Sequence, residues 1–148
     1  MTWKIQEKPL KNGLNLTGVN ADTINAVWHD VLPFIISATD QSGEDPEKVR
    51  EALKTQKAQL VIAYSAAGIE AVCVTELITI KHRPVCNVWI IAGRKRENWL
   101  HYLTEIETWA KAKGCVAMRH AQARMGWKRI LKPQGYRAKF VVLEKDLT

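Results

Sequence analysis

No two cysteines in this chain stand in the CxxC spacing of a metal knuckle or redox pair, and their number, three, is odd. A disulfide framework is therefore not what holds the fold together. Cys73, Cys86 and Cys115 lie in apolar, strand-like surroundings, which predicts buried reduced thiols in a cytosolic protein. His82 and His120 complete the set of soft ligands worth weighing, but no HxxxH or CxxC pairing joins them, so no metal is expected. Cys115 opens an apolar strand with no base evident beside it, a poor setting for a nucleophile. Long hydrophobic runs are missing too. No segment approaches the roughly 20 apolar residues of a membrane span, and MTWKIQEKPLKNG at the start lacks an apolar core of signal-peptide length. The expectation is a soluble, cytoplasmic chain without a membrane partner. P-loop, GxSxG and dinucleotide GxGxxG patterns are absent, which removes those enzyme classes.

Acidic residues are scarce in one region. Residues 81–139 hold 14 Lys/Arg against 3 Asp/Glu, a net +11, whereas residues 1–80 hold 7 against 10 and the tail from 140 holds 1 against 2. Such a field favours an anionic partner: a phosphorylated cofactor, DNA or an acidic protein surface. A basic face that merely keeps the protein soluble is the alternative.

What is present is organised around residues 87–136. VWIIAG (Val88 to Gly93) is a continuous apolar run ending on glycine, and the residues after it carry a helical stripe of Trp99, Leu103, Ile106 and Ala110. That is a buried strand feeding a crossover helix. Gly114 closes the helix, CVAMRH (Cys115 to His120) reads as a second short strand, and GWKRILKPQGY (Gly126 to Tyr136) as a short helix ending in Gly-Tyr. Two parallel strands joined by a helix form a right-handed unit whose ligands sit beyond the carboxyl ends of the strands, here around Gly93.

Upstream, residues 1–18 read as irregular or as a short edge strand, TWKIQ. A helix begins near Asp22, capped by Asn20 or Asp22, with Ile24, Val27, Trp28 and Val31 on one face. Pro33 must kink it, end it or open a second helix. SGEDPEKVREALK is a further helix, with Ser42 or Asp45 as its cap and Pro46 in its first turn. AQLVIAYS (Ala58 to Ser65) and IEAVCVTELITI (Ile69 to Ile80), linked through Ala66-Ala67-Gly68, read as an antiparallel hairpin. KHRPV leads into the Val88 strand, and AKFVVLEKDL (Ala138 to Leu147) reads as a closing strand. At 148 residues, this is one domain able to bury a core.

The order helix, helix, strand, strand, strand, helix, strand, helix, strand resembles that of the GNAT superfamily of N-acetyltransferases. VWIIAG with its basic turn and long helix is similar to the family's acetyl-CoA segment, and RILKPQGYRAKFVVLEKDL to its last helix, Gly-aromatic pair and closing strand. More narrowly, WHDVLPFI, SGEDPEKVREAL, QLVIAY, AVCVTEL, IETWAKAKGC, ARMGWKRILKPQGY and LEKDL together resemble small acetyltransferase-like proteins of tailed bacteriophages and prophages. The resemblance implies an α/β (α+β) fold, a single GNAT-like domain over residues 1–148 with a mixed central sheet flanked by helices. It implies acetyl-CoA as cofactor and an unidentified amine as acceptor. The phage-like character would place the protein in host cytoplasm or in the virion.

By that resemblance Ile91, Gly93, Arg94, Lys95 and Arg96 would hold the cofactor, the three cations at its pyrophosphate. Glu76, the carboxylate in the middle of the apolar run from Ile69 to Ile80, is the candidate base; a strand glutamate facing solvent is the plainer reading. Tyr136 is the candidate acid or simply a packing residue. Trp127, with Arg124 and Arg129 nearby, could clamp a flat or anionic acceptor or could pack into the core. Two departures stand out. The family's turn normally reads Arg/Gln, two residues, Gly, one residue, Gly/Ala, whereas Gly93 to Asn98 has one glycine, at its start; and Leu131 stands five residues before Tyr136, where active members often carry a tyrosine. A non-catalytic relative whose basic half binds DNA or an acidic protein is accordingly the rival reading. Six tryptophans leave room for a homodimer interface.

Overall fold

The computed structural model describes residues 8–9, 13–121 and 125–147. TWKIQ and Arg124 lie outside them. In chain order the elements are β1 (Lys8–Pro9), β2 (Asn15–Val19), α1 (Ile24–Ser42), α2 (Pro46–Lys54), β3 (Gln59–Ser65), β4 (Gly68–Ile80), β5 (Arg83–Gly93), α3 (Leu103–Ala112), β6 (Ala117–Arg119) and α4 (Met125–Leu131). The six strands form one sheet in sequence order. Each neighbouring pair is antiparallel except β5 and β6, which run parallel across α3.

Period-two alternation gives the sheet two apolar faces. Leu60, Ile62, Val72, Val74 and Ile90 join Ile24, Trp28, Val31 and Ile35 of α1 and Val49 and Leu53 of α2. Val61, Ala63, Ala71, Cys73, Cys86 and Val88 join Trp99, Leu103, Ile106, Trp109 and Ala110 on the other side. Side chains at i and i+2 on a strand share a face, so each strand serves both cores.

Pro33 neither ends nor divides the first helix, which runs unbroken from Ile24 to Ser42. A helix-interior proline costs about 3 kcal/mol. Burial of Ile24, Trp28, Val31 and Ile35 on one side of the helix, at about 2 kcal/mol each, outweighs it. Pro33 itself lies on the exposed side, as does His29 one turn before. Asp45 caps α2, its Oδ1 accepting from Glu47 N–H at 2.9 Å. At the other helix, Asn20 and Thr23 make no side-chain cap bond. Between Gly93 and α3 the chain takes two 3₁₀ turns, Arg96–Asn98 and Leu100–Tyr102, in place of the continuous helix that the apolar stripe predicts.

The hairpin of β3 and β4 forms as expected, and the chain re-enters β5 after a two-residue turn whose residues, Lys81 and His82, both have positive φ. β2 went unread in the sequence: it pairs with Leu60 to Tyr64 of β3 and buries Leu16. The closing strand expected from Ala138 to Leu147 does not form: these residues belong to no helix and pair with no strand of the sheet.

Candidate functional site

β5 is held unequally along its two edges. β4 pairs with it from Arg83 to Gly93, while β6 meets it at Val85↔Ala117, Cys86↔Met118 and Asn87↔Arg119 and, among the described residues, nowhere else. From Val88 onward one edge of β5 is open. Alternate backbone N–H and C=O groups of a strand point to each edge, so this stretch offers unpaired donors and acceptors. A cleft of about 340 Å³ opens there, floored by Val88 to Gly93, walled by the last turns of α1 and by α4, and reached by Arg96, Trp99 and His120.

A bulge lies on its floor. Val74 pairs with Ile90 and Thr75 with Val88, leaving Trp89 without a partner on β4. The extra residue re-aims the strand where the cleft begins. At the far end, Arg94 N–H donates to the Glu70 carbonyl at 2.9 Å, and the Trp99 indole N–H donates to the Arg94 carbonyl at 2.7 Å. Gly93 is required by space: a Cβ there would stand 2.6 Å from the Ala71 Cβ and 2.8 Å from both the Glu70 oxygen and Trp99 Nε1. The turn continues through Lys95, in the left-handed region at φ 46°, into Arg96–Asn98. The first N–H groups of such a turn have no acceptor within it.

Of the residues that the sequence pointed to, Ile91, Gly93, Arg96 and Trp127 come together in the cleft. Trp127 is half-buried, its ring centroid 6.3 Å from that of Trp99. Arg94 and Lys95 are exposed, and the Arg94 guanidinium carbon lies 6.0 Å from the centre of the Phe34 ring on α1. Glu76 is half-buried outside the cleft lining, its Oε1 accepting from Asn87 Nδ2 at 2.9 Å. Tyr136 donates its hydroxyl proton to Glu107 Oε2 at 2.6 Å and stands edge-on to His120, ring centroids 4.9 Å apart. Burial, with that bond and the Glu107 charge, pushes its phenol above the usual range.

Sequence reasoning weighed His120 only as a metal ligand and missed its place in the cleft. It follows the carboxyl end of β6, where the parallel-strand rule places ligands as surely as at Gly93. It lines the cleft with both ring nitrogens buried and without a hydrogen-bond partner in the protein. Burial lowers its pKa to about 4, so the ring is neutral at physiological pH. Asn87 was also missed. Besides holding Glu76 it accepts from Ala121 N–H at 3.4 Å, joining β4 to the segment behind His120. The cysteines are free; burial raises the Cys73 thiol and pushes Cys86 up to about 12, so neither is a ready nucleophile.

No protein-family model and no curated protein matches the chain. Solved structures do. The protein is similar to an aminoglycoside acetyltransferase from an uncultured soil metagenomic sample, at TM-score 0.65 and 13% identity over 93% of this chain and 97% of that one. It is similar to ribosomal-protein-alanine N-acetyltransferase from Brucella melitensis biovar Abortus 2308, at TM-score 0.66 and 9% identity over 91% and 99% of the two chains. An acetyltransferase of Trypanosoma brucei gives 0.65 and 12% over 90% and 99%. The fold is that of the GNAT acetyltransferases. None of the described residues forms a group of three or more His, Cys, Asp or Glu able to hold a metal.

Proposed function

We propose that the protein transfers an acetyl group from acetyl-CoA to an amine, as an acyl-CoA-dependent N-acyltransferase. The observation that carries this reading is the parting of β5 from β6 after Asn87, which leaves a strand edge open beside a cleft. The pantetheine arm of CoA carries two amides, and an extended amide chain hydrogen bonds to such an edge as an added strand does. Its pyrophosphate reaches the turn after Gly93, where Arg94, Lys95 and Arg96 supply charge in place of the missing glycines.

In the reaction, the amine nitrogen attacks the thioester carbonyl. A C–N bond forms, the C–S bond breaks, the amine loses a proton and the thiolate gains one. Glu76, oriented by Asn87, takes the first proton; Tyr136, at the back of His120, gives the second. Trp127 and Arg124 receive the acceptor. The same fold carries amine acceptors elsewhere: one similar structure is an aminoglycoside acetyltransferase in complex with sisomicin. The narrower resemblance to phage and prophage proteins supports a phage-encoded origin.

A second reading has its own support. Tyr136 is committed to Glu107, and Leu131 is buried where active members often carry a tyrosine. On this reading the protein is a non-catalytic GNAT-fold module whose basic half binds DNA or an acidic protein. Calorimetric titration with acetyl-CoA, CoA and a DNA duplex at two salt concentrations separates the two. Saturable binding of acetyl-CoA, abolished by the double substitution Arg94→Glu with Arg96→Glu in a folded protein, is the expected result. Heat from the duplex alone, falling steeply with salt, supports the module instead.

A further inference from the structure

The ladder between β5 and β6 ends at Asn87↔Arg119, and the next residue of the chain after β6 is His120. Parallel register sets it level with Val88, one residue before the Trp89 bulge, so it stands at the apex of the opening and lines the cleft there. Three other donors of the lining are already spent within the fold. Thr39 Oγ1 donates to the Ile35 carbonyl at 2.9 Å, Ser42 Oγ to the Thr39 carbonyl at 3.3 Å and Trp99 Nε1 to the Arg94 carbonyl at 2.7 Å. His120 has spent neither nitrogen: both are buried without a hydrogen-bond partner among the described residues. Burial keeps the ring neutral, so one nitrogen carries a proton to donate and the other a lone pair. A buried donor left unpaired is costly, and an acceptor on a ligand removes the cost.

What that acceptor is follows from the acyl-CoA reading above, on which this inference rests. An extended pantetheine arm has about a dozen chain atoms between pyrophosphate and sulfur, the length of four residues or roughly 14 Å. With the pyrophosphate at the turn after Gly93 the arm runs back along the open edge of β5, and at about 3.3 Å per strand residue it ends level with Trp89. The thioester is thereby brought to His120. We propose that His120 is a catalytic residue of acyl transfer, its ring N–H donating a hydrogen bond to the thioester carbonyl oxygen. Rotation about Cβ–Cγ, a broad torsion in histidine, turns the buried N–H toward that oxygen on binding. When the amine nitrogen attacks, a C–N bond forms and the carbonyl π pair moves onto the oxygen. His120 stabilises this oxyanion without giving up its proton. The pair then returns, the C–S bond breaks and the thiolate departs. The proton lost by the amine and the one gained by the thiolate pass through Glu76 and Tyr136, so His120 adds a role and displaces neither.

The test is infrared and NMR spectroscopy of the protein with acetyl-CoA carrying ¹³C at the thioester carbonyl, with CoA as the parallel ligand. Saturable binding is expected, with the carbonyl band at lower wavenumber on the unmodified protein than on His120→Phe. In protein labelled with ¹⁵N at histidine, the His120 ring N–H proton should move downfield with acetyl-CoA and not with CoA, which lacks that carbonyl. A band at the same wavenumber on both proteins overturns the inference and leaves the acyl-CoA reading standing. So does a His120 N–H that acetyl-CoA binding leaves unmoved. No binding of acetyl-CoA overturns both. Should His120→Phe fail to fold or to bind, the ring N–H of the unmodified protein decides.

Discussion

The two edges of β5 are built from the same eleven residues and end in opposite conditions. Toward β4 the ladder runs the whole strand, interrupted by one bulge; toward β6 it lasts three residues. The first edge comes from a hairpin, whose tight turn fixes register locally. The second comes from a crossover through α3, and what ends it is the chain leaving β6 after Arg119. Backbone pairing is concentrated along the closed edge, and the open one leaves strand donors and acceptors facing a cleft.

This contrast can be broken deliberately, and the largest effect should come from the closed edge. Gly93→Ala forces a methyl group against the Ala71 Cβ, the Glu70 oxygen and the Trp99 indole. It should destabilise by about 3 kcal/mol, read as a lower urea midpoint. If Glu76 is the base, Glu76→Gln should lower kcat by about a hundredfold with little change in acetyl-CoA affinity, since Asn87 can still donate to the amide oxygen. An unchanged kcat would remove Glu76 from the chemistry.

The open edge has its own signature in pH. The His120 pKa is lowered from 6.5 to about 4 by burial. As the pH falls, the unfolded chain therefore takes up this proton before the folded one. The associated stability is complete above pH 6.5 and is lost on the way down to about 4. Between pH 7.5 and 4.5 it amounts to about 2 to 3 kcal/mol at most. Denaturant midpoints at pH 7.5 and 4.5 should draw closer together in His120→Gln than in the unmodified protein. The smallest effect is expected from Trp99→Phe. Loss of the bond to the Arg94 carbonyl should cost about 1 kcal/mol, and acetyl-CoA affinity should fall with it as the turn loosens. A variant that lost stability and kept affinity would separate the closed edge from the site.

Much of the architecture was legible before any coordinates. The hairpin could be read because Ala66-Ala67-Gly68 is too short a link for anything but antiparallel neighbours, and the β5, α3, β6 crossover because a strand ending on glycine met a helical stripe. The residues named at the turn part company in space: Arg96, Gly93 and Ile91 line the cleft, while Arg94 lies over Phe34. Other features had no local signature. β2 is five residues with a glycine among them, and it is a strand because β3 is there to pair with it. The Trp89 bulge is an offset between two strands and so belongs to neither sequence. His120 is one residue among many until α4 and β5 close around it.

By itself the sequence determined periodicity, and with it the order of elements, the two apolar faces and the basic half, because these depend on side chains a few positions apart. Tertiary structure decided the length of the β5–β6 ladder, the burial of the two His120 nitrogens, the commitment of Tyr136 to Glu107 and the exposure of the apolar tail. Those are properties of pairs of segments brought together across the fold. Hydrogen-bond partners and neighbouring surfaces are chosen in space, and a segment that pairs with no strand, like Ala138 to Leu147, stays a strand in pattern only.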